Sequence, residues 1–166
     1  RAGIGSVFTI LMPLSACAAS PEVRTEVVAL EGLTGLIVDD LELNRFILSE
    51  RLSFWGVKCL QVCSASEALE LLTDFRLEGR HLDFVVLDYQ MPLIDGRELV
   101  QSIRAIPDYR TLPIVMLSSV EQAMSKTVRD GLEGCEIALK PLRASHLKQV
   151  LGRVLSLARK PVKQPI

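Results

Sequence analysis

Residues 83–96 read Asp83-Phe84-Val85-Val86-Leu87-Asp88-Tyr89-Gln90-Met91-Pro92-Leu93-Ile94-Asp95-Gly96, and the rest of the chain is organised around them. Phe84 to Leu87 is an apolar run, rich in β-branched side chains, that stops on the carboxylate of Asp88. Such a run without alternation reads as a strand covered on both faces, as in a parallel α/β sheet. Pro92 has no N–H for a ladder and Asp95-Gly96 is a turn signal, so the strand stops near Asp88. A carboxylate then stands at the carboxyl end of a strand, the edge on which open α/β sheets bind ligands. Taken alone, one such Asp reads as the start of an ordinary turn. The neighbouring segments change that reading.

Outward from this stretch the chain alternates regularly. Leu33 to Val38 is an apolar strand ending in Asp39-Asp40. Leu43 to Trp55 carries apolar residues at 43, 46, 47, 48, 52 and 55, a helical pattern closed by Gly56. Val57 to Val62 is a second strand. Ser64 and Glu67 stand at capping-box spacing at the start of a helix running to about Glu78, with Ala68, Leu69, Leu71, Leu72 and Phe75 inward. After the strand Asp83–Asp88, a helix from Gly96 to Ile106 carries Leu99, Val100 and Ile103 on one face and is ended by Pro107. Pro113 to Leu117 is a fourth strand running into Ser118-Ser119. Glu121 to Asp130 is a weaker helix, Glu136 to Leu139 a short fifth strand ending in Lys140-Pro141. Ala144 to Leu157 is a helix with Leu147, Val150, Leu151, Val154 and Leu155 along one stripe. Five strands alternating with five helices predict a doubly wound parallel sheet with helices on both faces and right-handed crossovers.

Composition sets the bounds. The chain has 166 residues, 49% hydrophobic and 23% charged, with a net charge of −1, which suits one domain plus extensions. No basic block points to nucleic acid as a ligand, and no apolar run is long enough to cross a membrane. Cys17, Cys59, Cys63 and Cys135 form no CxxC pair and have no His at metal-ligand spacing, so they read as reduced thiols in a cytoplasmic protein. Cys59 and Cys63, on or beside a strand, are expected as small buried side chains, and the isolated His81 and His146 as surface residues.

The strand ends acquire meaning together. Asp39-Asp40, Asp88, Ser118 and Lys140 all fall on the same edge of a parallel sheet. Three carboxylates held close repel one another unless a cation joins them. Oxygen ligands in small number, leaving room for water and a phosphate oxygen, suit Mg²⁺. A carboxylate placed there can attack phosphorus to form an acyl phosphate, with a lysine and a hydroxyl positioning the transferred group.

Residues 33–158 resemble the receiver domain of two-component response regulators. The resemblance rests on Asp39-Asp40, the run Asp88-x-x-Met91-Pro92-x-x-Asp95-Gly96, Ser118 after the fourth strand, and Lys140-Pro141. It implies the flavodoxin-like strand order 2-1-3-4-5. It also implies Asp88 as phosphoacceptor, and Asp39, Asp40, Asp88 and the Gln90 backbone carbonyl as Mg²⁺ ligands. Ser118 and Lys140 are the expected contacts of the phosphoryl group, and the Lys140-Pro141 bond is expected to be cis. Ile137 departs from the family, which usually carries Tyr or Phe three residues before the lysine. Such a chain suits a relay better than an aromatic-switch regulator.

Two readings compete for the start of the chain. Arg1, an apolar stretch and Leu14-Ser15-Ala16-Cys17 fit a signal peptide with a lipoprotein processing site. Gly3-Ile4-Gly5-Ser6-Val7-Phe8, followed by Thr9 to Leu14, instead resembles the last glycine box and final strand of a histidine-kinase ATP-binding domain. On that second reading, favoured here, residues 1–14 are a kinase remnant whose Gly3 and Gly5 complete no nucleotide site. Residues 15–32 are then a linker and 159–166 a tail. The chain is then a receiver at the carboxyl end of a hybrid sensor histidine kinase whose parent is membrane-anchored, with the receiver in the cytoplasm. The implied partners are a histidine-kinase dimerisation and phosphotransfer domain and a histidine phosphotransfer protein. The rival functions are a non-phosphorylated binding module and a Mg²⁺-dependent phosphatase with an aspartyl nucleophile. The phosphatase usually needs a second Asp where this chain has Gln90.

Overall fold

The computed structural model describes residues 29–119 and 134–158, together with Thr9 and Leu132. The expected glycine turn and strand at 1–14, most of the linker at 15–32, the helix at 121–130 and the tail at 159–166 lie outside the described residues. The elements run β1 (Thr34–Val38), α1 (Glu42–Phe54), β2 (Lys58–Val62), α2 (Ala65–Leu77), β3 (Phe84–Asp88), α3 (Gly96–Ala105), a 3-10 turn (Pro107–Tyr109), β4 (Ile114–Ser118), β5 (Cys135–Leu139) and α4 (Ala144–Ala158). The strands form one sheet in the order β2-β1-β3-β4-β5, with every neighbouring pair parallel.

Alternate residues of the central strands enter two separate cores. On one face Leu36, Val38, Val85, Leu87, Ile114 and Met116 pack against Leu72, Phe75, Leu99 and Ile103 of α2 and α3. On the other, Ile37, Phe84, Val86, Val115 and Leu117 pack against Leu48 and Leu52 of α1 and the α4 stripe Leu147, Val150, Leu151, Val154 and Leu155. This two-sided burial is why β3 shows an unbroken apolar run, with all five residues buried. Each fully buried Leu, Ile or Phe contributes roughly 1.5–3 kcal/mol relative to its exposed state.

Several sequence expectations shift in detail. The apolar pattern of α1 divides: Leu48 and Leu52 are buried, while Leu43, Phe46 and Ile47 on the opposite side face outward, and Trp55 stands just past the helix end. Gly56, at φ +80°, then turns the chain into β2. The capping box of α2 is rearranged. Ser64 Oγ accepts the Glu67 N–H at 3.2 Å, but the Glu67 carboxylate accepts the N–H of Cys63, at 2.9 Å, instead of that of Ser64. Cys63, expected to be buried, is exposed because its thiol turns outward to donate to Glu67 at 3.1 Å. Cys59 is half-buried. His81 is exposed and sits 3.3 Å from Asp83, whereas His146 is half-buried at the base of α4, short of the free surface position expected for it. Asp83 precedes β3, and its carboxylate accepts the Thr34 N–H at 2.8 Å.

Candidate functional site

The strand order puts β3 between β1 and β4, with β5 beyond, so the polar residue after each apolar run arrives at one edge. The backbone ladder continues past the strand ends. Tyr89 N–H donates to Leu117 O at 2.9 Å and Lys140 N–H to Ser118 O at 2.9 Å. Asp39, the residue after β1, donates its N–H to Val62 O at 3.4 Å. On the other side of β3, Asp95 caps α3, its Oδ1 accepting the Glu98 N–H at 2.9 Å. Gly96 N–H closes back onto Tyr89 O, and a Cβ there would come within 2.7 Å of Asp88 O and 2.9 Å of Tyr89 Cα. The Asp-Gly pair is therefore required by a helix that starts directly against the end of β3.

Asp39, Asp40 and Asp88 converge, each offering a carboxylate oxygen within 4.8 Å of the others. Asp39 is 1% exposed and Asp88 5%. Lys140 Nζ lies 2.8 Å from Asp88 Oδ2, and the Lys140–Pro141 bond is cis. Ser118 is buried at the end of β4, its hydroxyl 3.3 Å from Ser119 O. Gln90 follows two residues after Asp88, with its N–H 3.4 Å from Asp88 Oδ1. Gly3 and Gly5 lie outside the described residues. Ile137 is half-buried and packs on the α2–α3 core.

Electrostatics set the character of this pocket. Burial pushes the Asp39 carboxyl above the usual carboxylate range, and the charge of Asp88 adds to the push. The Leu41 N–H, the Asn44 amide and Lys140 oppose it. Clustered carboxylates with incomplete compensation are a hard-oxygen donor set that fits a divalent cation such as Mg²⁺. When bound, such a cation neutralises charge on a transferring phosphoryl group. The Lys140 ammonium contacts Asp88 Oδ2, while Oδ1 has the Gln90 N–H as its neighbour at 3.4 Å, an arrangement chemically able to offer a carboxylate nucleophile.

Two participants were not singled out in the sequence. Asn44 Nδ2 donates to both oxygens of Asp39, at 3.2 and 3.1 Å. Arg45 Nη1 donates to the carbonyls of Asp39 and Asp40, at 2.7 and 3.1 Å. Both sit on the first turn of α1, and the readable signal was position: side chains there reach the loop leading into the helix.

Similarity to known proteins follows the same lines. Residues 36–151 match the family model described as the response regulator receiver domain. The chain is 32% identical over 125 residues to the probable transcriptional regulator ycf27 of Cyanidium caldarium, a match covering 75% of this chain and 46% of that protein. It is 31% identical over 162 residues to the sensor protein EvgS of Escherichia coli K12, covering 94% of this chain and 13% of that protein. The chain thus spans less than half the length of either relative. Among solved structures, the receiver domain of a sensor histidine kinase from Pseudomonas aeruginosa, with a magnesium ion coordinated in its active-site cleft, superposes with a TM-score of 0.63 at 24% identity. That likeness covers 75% of this chain and 98% of the other. Matched across most of its length, with the sheet order 2-1-3-4-5, this chain belongs to the response regulator receiver domain family of two-component signalling.

Proposed function

We propose that Asp88 accepts a phosphoryl group from a phosphohistidine, with Mg²⁺ held by Asp39, Asp40, Asp88 and the Gln90 backbone carbonyl. The observation that carries this is a single pocket in which a nearly buried Asp88 has Lys140 Nζ at 2.8 Å and two further carboxylates within sharing distance. In the transfer, an Asp88 oxygen forms a bond to phosphorus as the histidine N–P bond breaks, and the imidazole keeps the electron pair and takes up a proton. Lys140 and the Ser118 hydroxyl hold the phosphoryl oxygens, so catalysis is positioning and charge neutralisation. The magnesium ion in the Pseudomonas aeruginosa receiver supports the metal assignment. Incubation with Mg²⁺ and acetyl phosphate, or with a phosphorylated histidine-kinase domain, is expected to label the parent chain and not Asp88→Asn. Equal labelling of the two would refute the assignment.

The chain's place in a hybrid sensor kinase is part of the same proposal. What supports it is the reach of the EvgS match: 94% coverage leaves only about ten of the 166 residues unmatched, so it enters the stretch ahead of Leu33. The phosphodonor would be a kinase phosphotransfer domain in the cytoplasm, with a histidine phosphotransfer protein as further partner. The outward side of α1, the helix that follows Asp39, carries Leu43 at 67% and Phe46 at 57% exposure in its first turns and offers an apolar face for a donor helix. Ile137 in place of an aromatic residue favours relay of the phosphate over readout by a rotating ring. No helix among the described residues is long and apolar enough to cross a membrane.

A further inference from the structure

The Asp39 carboxylate is held by neighbouring donors at both of its oxygens. Its Oδ1 accepts the Leu41 N–H at 2.9 Å and the Asn44 amide at 3.2 Å, while Oδ2 accepts the same Asn44 nitrogen at 3.1 Å. An ionised carboxylate offers about four lone-pair sites. These donors engage both sites on Oδ1 and one on Oδ2, so Oδ2 keeps a lone pair free of them. The terminal torsion of an aspartate is soft and roughly two-fold. One nitrogen straddling both oxygens, together with the Leu41 N–H on Oδ1, therefore fixes the plane of the group, and Asn44 is the donor that reaches Oδ2. Arg45 acts on a different part of the same loop, bonding the backbone carbonyls of Asp39 and Asp40 and not their carboxylates.

The chemistry of the tether also matters. Asp39, Asp40 and Asp88 carry three formal negative charges against the Lys140 ammonium on Asp88 and the Arg45 guanidinium on the loop carbonyls, so the pocket keeps a net negative charge for a cation to meet. A lysine or arginine at position 44 would bring a further positive charge against Asp39 and cancel part of that negative charge. A neutral carboxamide orients it and leaves the charge in place.

We propose that Asn44 is a positioning residue for the metal: it holds the Asp39 carboxylate in the orientation in which it shares a cation with Asp40 and Asp88. The inference rests on the Mg²⁺ reading of the site and concerns a residue outside the ligand set. Hydrogen-bond partners of metal ligands typically govern metal affinity by 10–100-fold.

The test compares the parent chain with Asn44→Ala in calorimetric titrations with Mg²⁺ alone, and in melting curves across Mg²⁺ concentration. Asn44 is half-buried on a helix, and alanine is the better helix former, so the substitution does not weaken α1 as a helix. The expected result is a Mg²⁺ midpoint displaced about tenfold or more to higher concentration, with acetyl phosphate labelling recovering once Mg²⁺ is saturating. An unchanged Mg²⁺ midpoint would overturn the proposal, and so would labelling that stays depressed at saturating Mg²⁺. Should Asn44→Ala fail to melt cooperatively, Asn44→Ser, which keeps a short polar side chain but no amide to span both oxygens, is read by the same criteria. A parent chain that binds no Mg²⁺ would instead sink the metal reading as a whole, an outcome distinct from equal binding by parent and variant.

Discussion

Helices α1 and α2 are consecutive, each thirteen residues long, and they flank the same strand from opposite faces of the sheet. They use their residues differently. The buried residues of α2 are Ala65, Ala68, Leu72 and Phe75, along one side, and its outer face carries the solvated acids Glu67, Glu70 and Asp74, with Leu77 as its one large exposed apolar residue. Only Leu48, Ser49 and Leu52 of α1 are buried, while it leaves Leu43, Phe46, Ile47 and Phe54 in the open, Phe54 at 88% exposure. The start of α2 is capped by its own Ser64, whereas no side chain caps α1, whose preceding N–H at Leu41 goes to Asp39. The difference teaches how a small domain divides its labour. α2 holds the fold; α1 holds the fold with one side, bonds Asp39 and its loop from its first turn, and leaves a third, apolar surface uncovered.

The sharpest way to break this comparison is to empty the one role the helices share. Leu52→Ala in α1 and Leu72→Ala in α2 each remove a side chain with 0% exposure, from different cores. Each is expected to cost about 2–5 kcal/mol in urea unfolding; a marked inequality would show that the layers do not bear equally on stability. The next effect separates the helices. Phe46→Ala is expected to leave stability within about 0.5 kcal/mol but to slow phosphotransfer from a protein donor by roughly tenfold or more, the scale of an interface anchor. Labelling by acetyl phosphate, which needs no docking face, should not change; parallel loss with both donors would remove the docking role. The smallest effect belongs to α2. Ser64→Ala is expected to cost about 1 kcal/mol through the lost cap, with labelling rates unaltered.

Much of this architecture was legible because the inner strands β1, β3 and β4 are covered on both faces. Their apolar runs stand out without alternation, and the polar residue that ends each run marks the edge where Asp39, Asp40, Asp88, Ser118 and Lys140 meet. The division of α1 was not legible. Leu43, Phe46 and Ile47 repeat at helical spacing as faithfully as Leu48 and Leu52, and periodicity does not say which of two apolar stripes meets the sheet. Cys63 misled for a related reason. The capping pattern at Ser64 and Glu67 was readable, but the choice of the Cys63 N–H over that of Ser64 depends on the local path of the chain. Asn44 lay hidden because an isolated asparagine near a helix start reads as turn chemistry until its amide is seen across both oxygens of Asp39.

The backbone bonds that run past the strand ends, from Tyr89 to Leu117 and from Lys140 to Ser118, make the sheet a gauge block for the chemistry beyond it. Adjacent strands stand about 4.7–4.9 Å apart whatever side chains they carry. The separations among the backbones bearing acid, hydroxyl and ammonium are therefore multiples of a fixed pitch, not outcomes of core packing. Relatives stand at about 30% identity to this chain, and a spacing set by the backbone ladder does not depend on which side chains fill the core. A surface helix can therefore change its side chains without altering the distances across that edge.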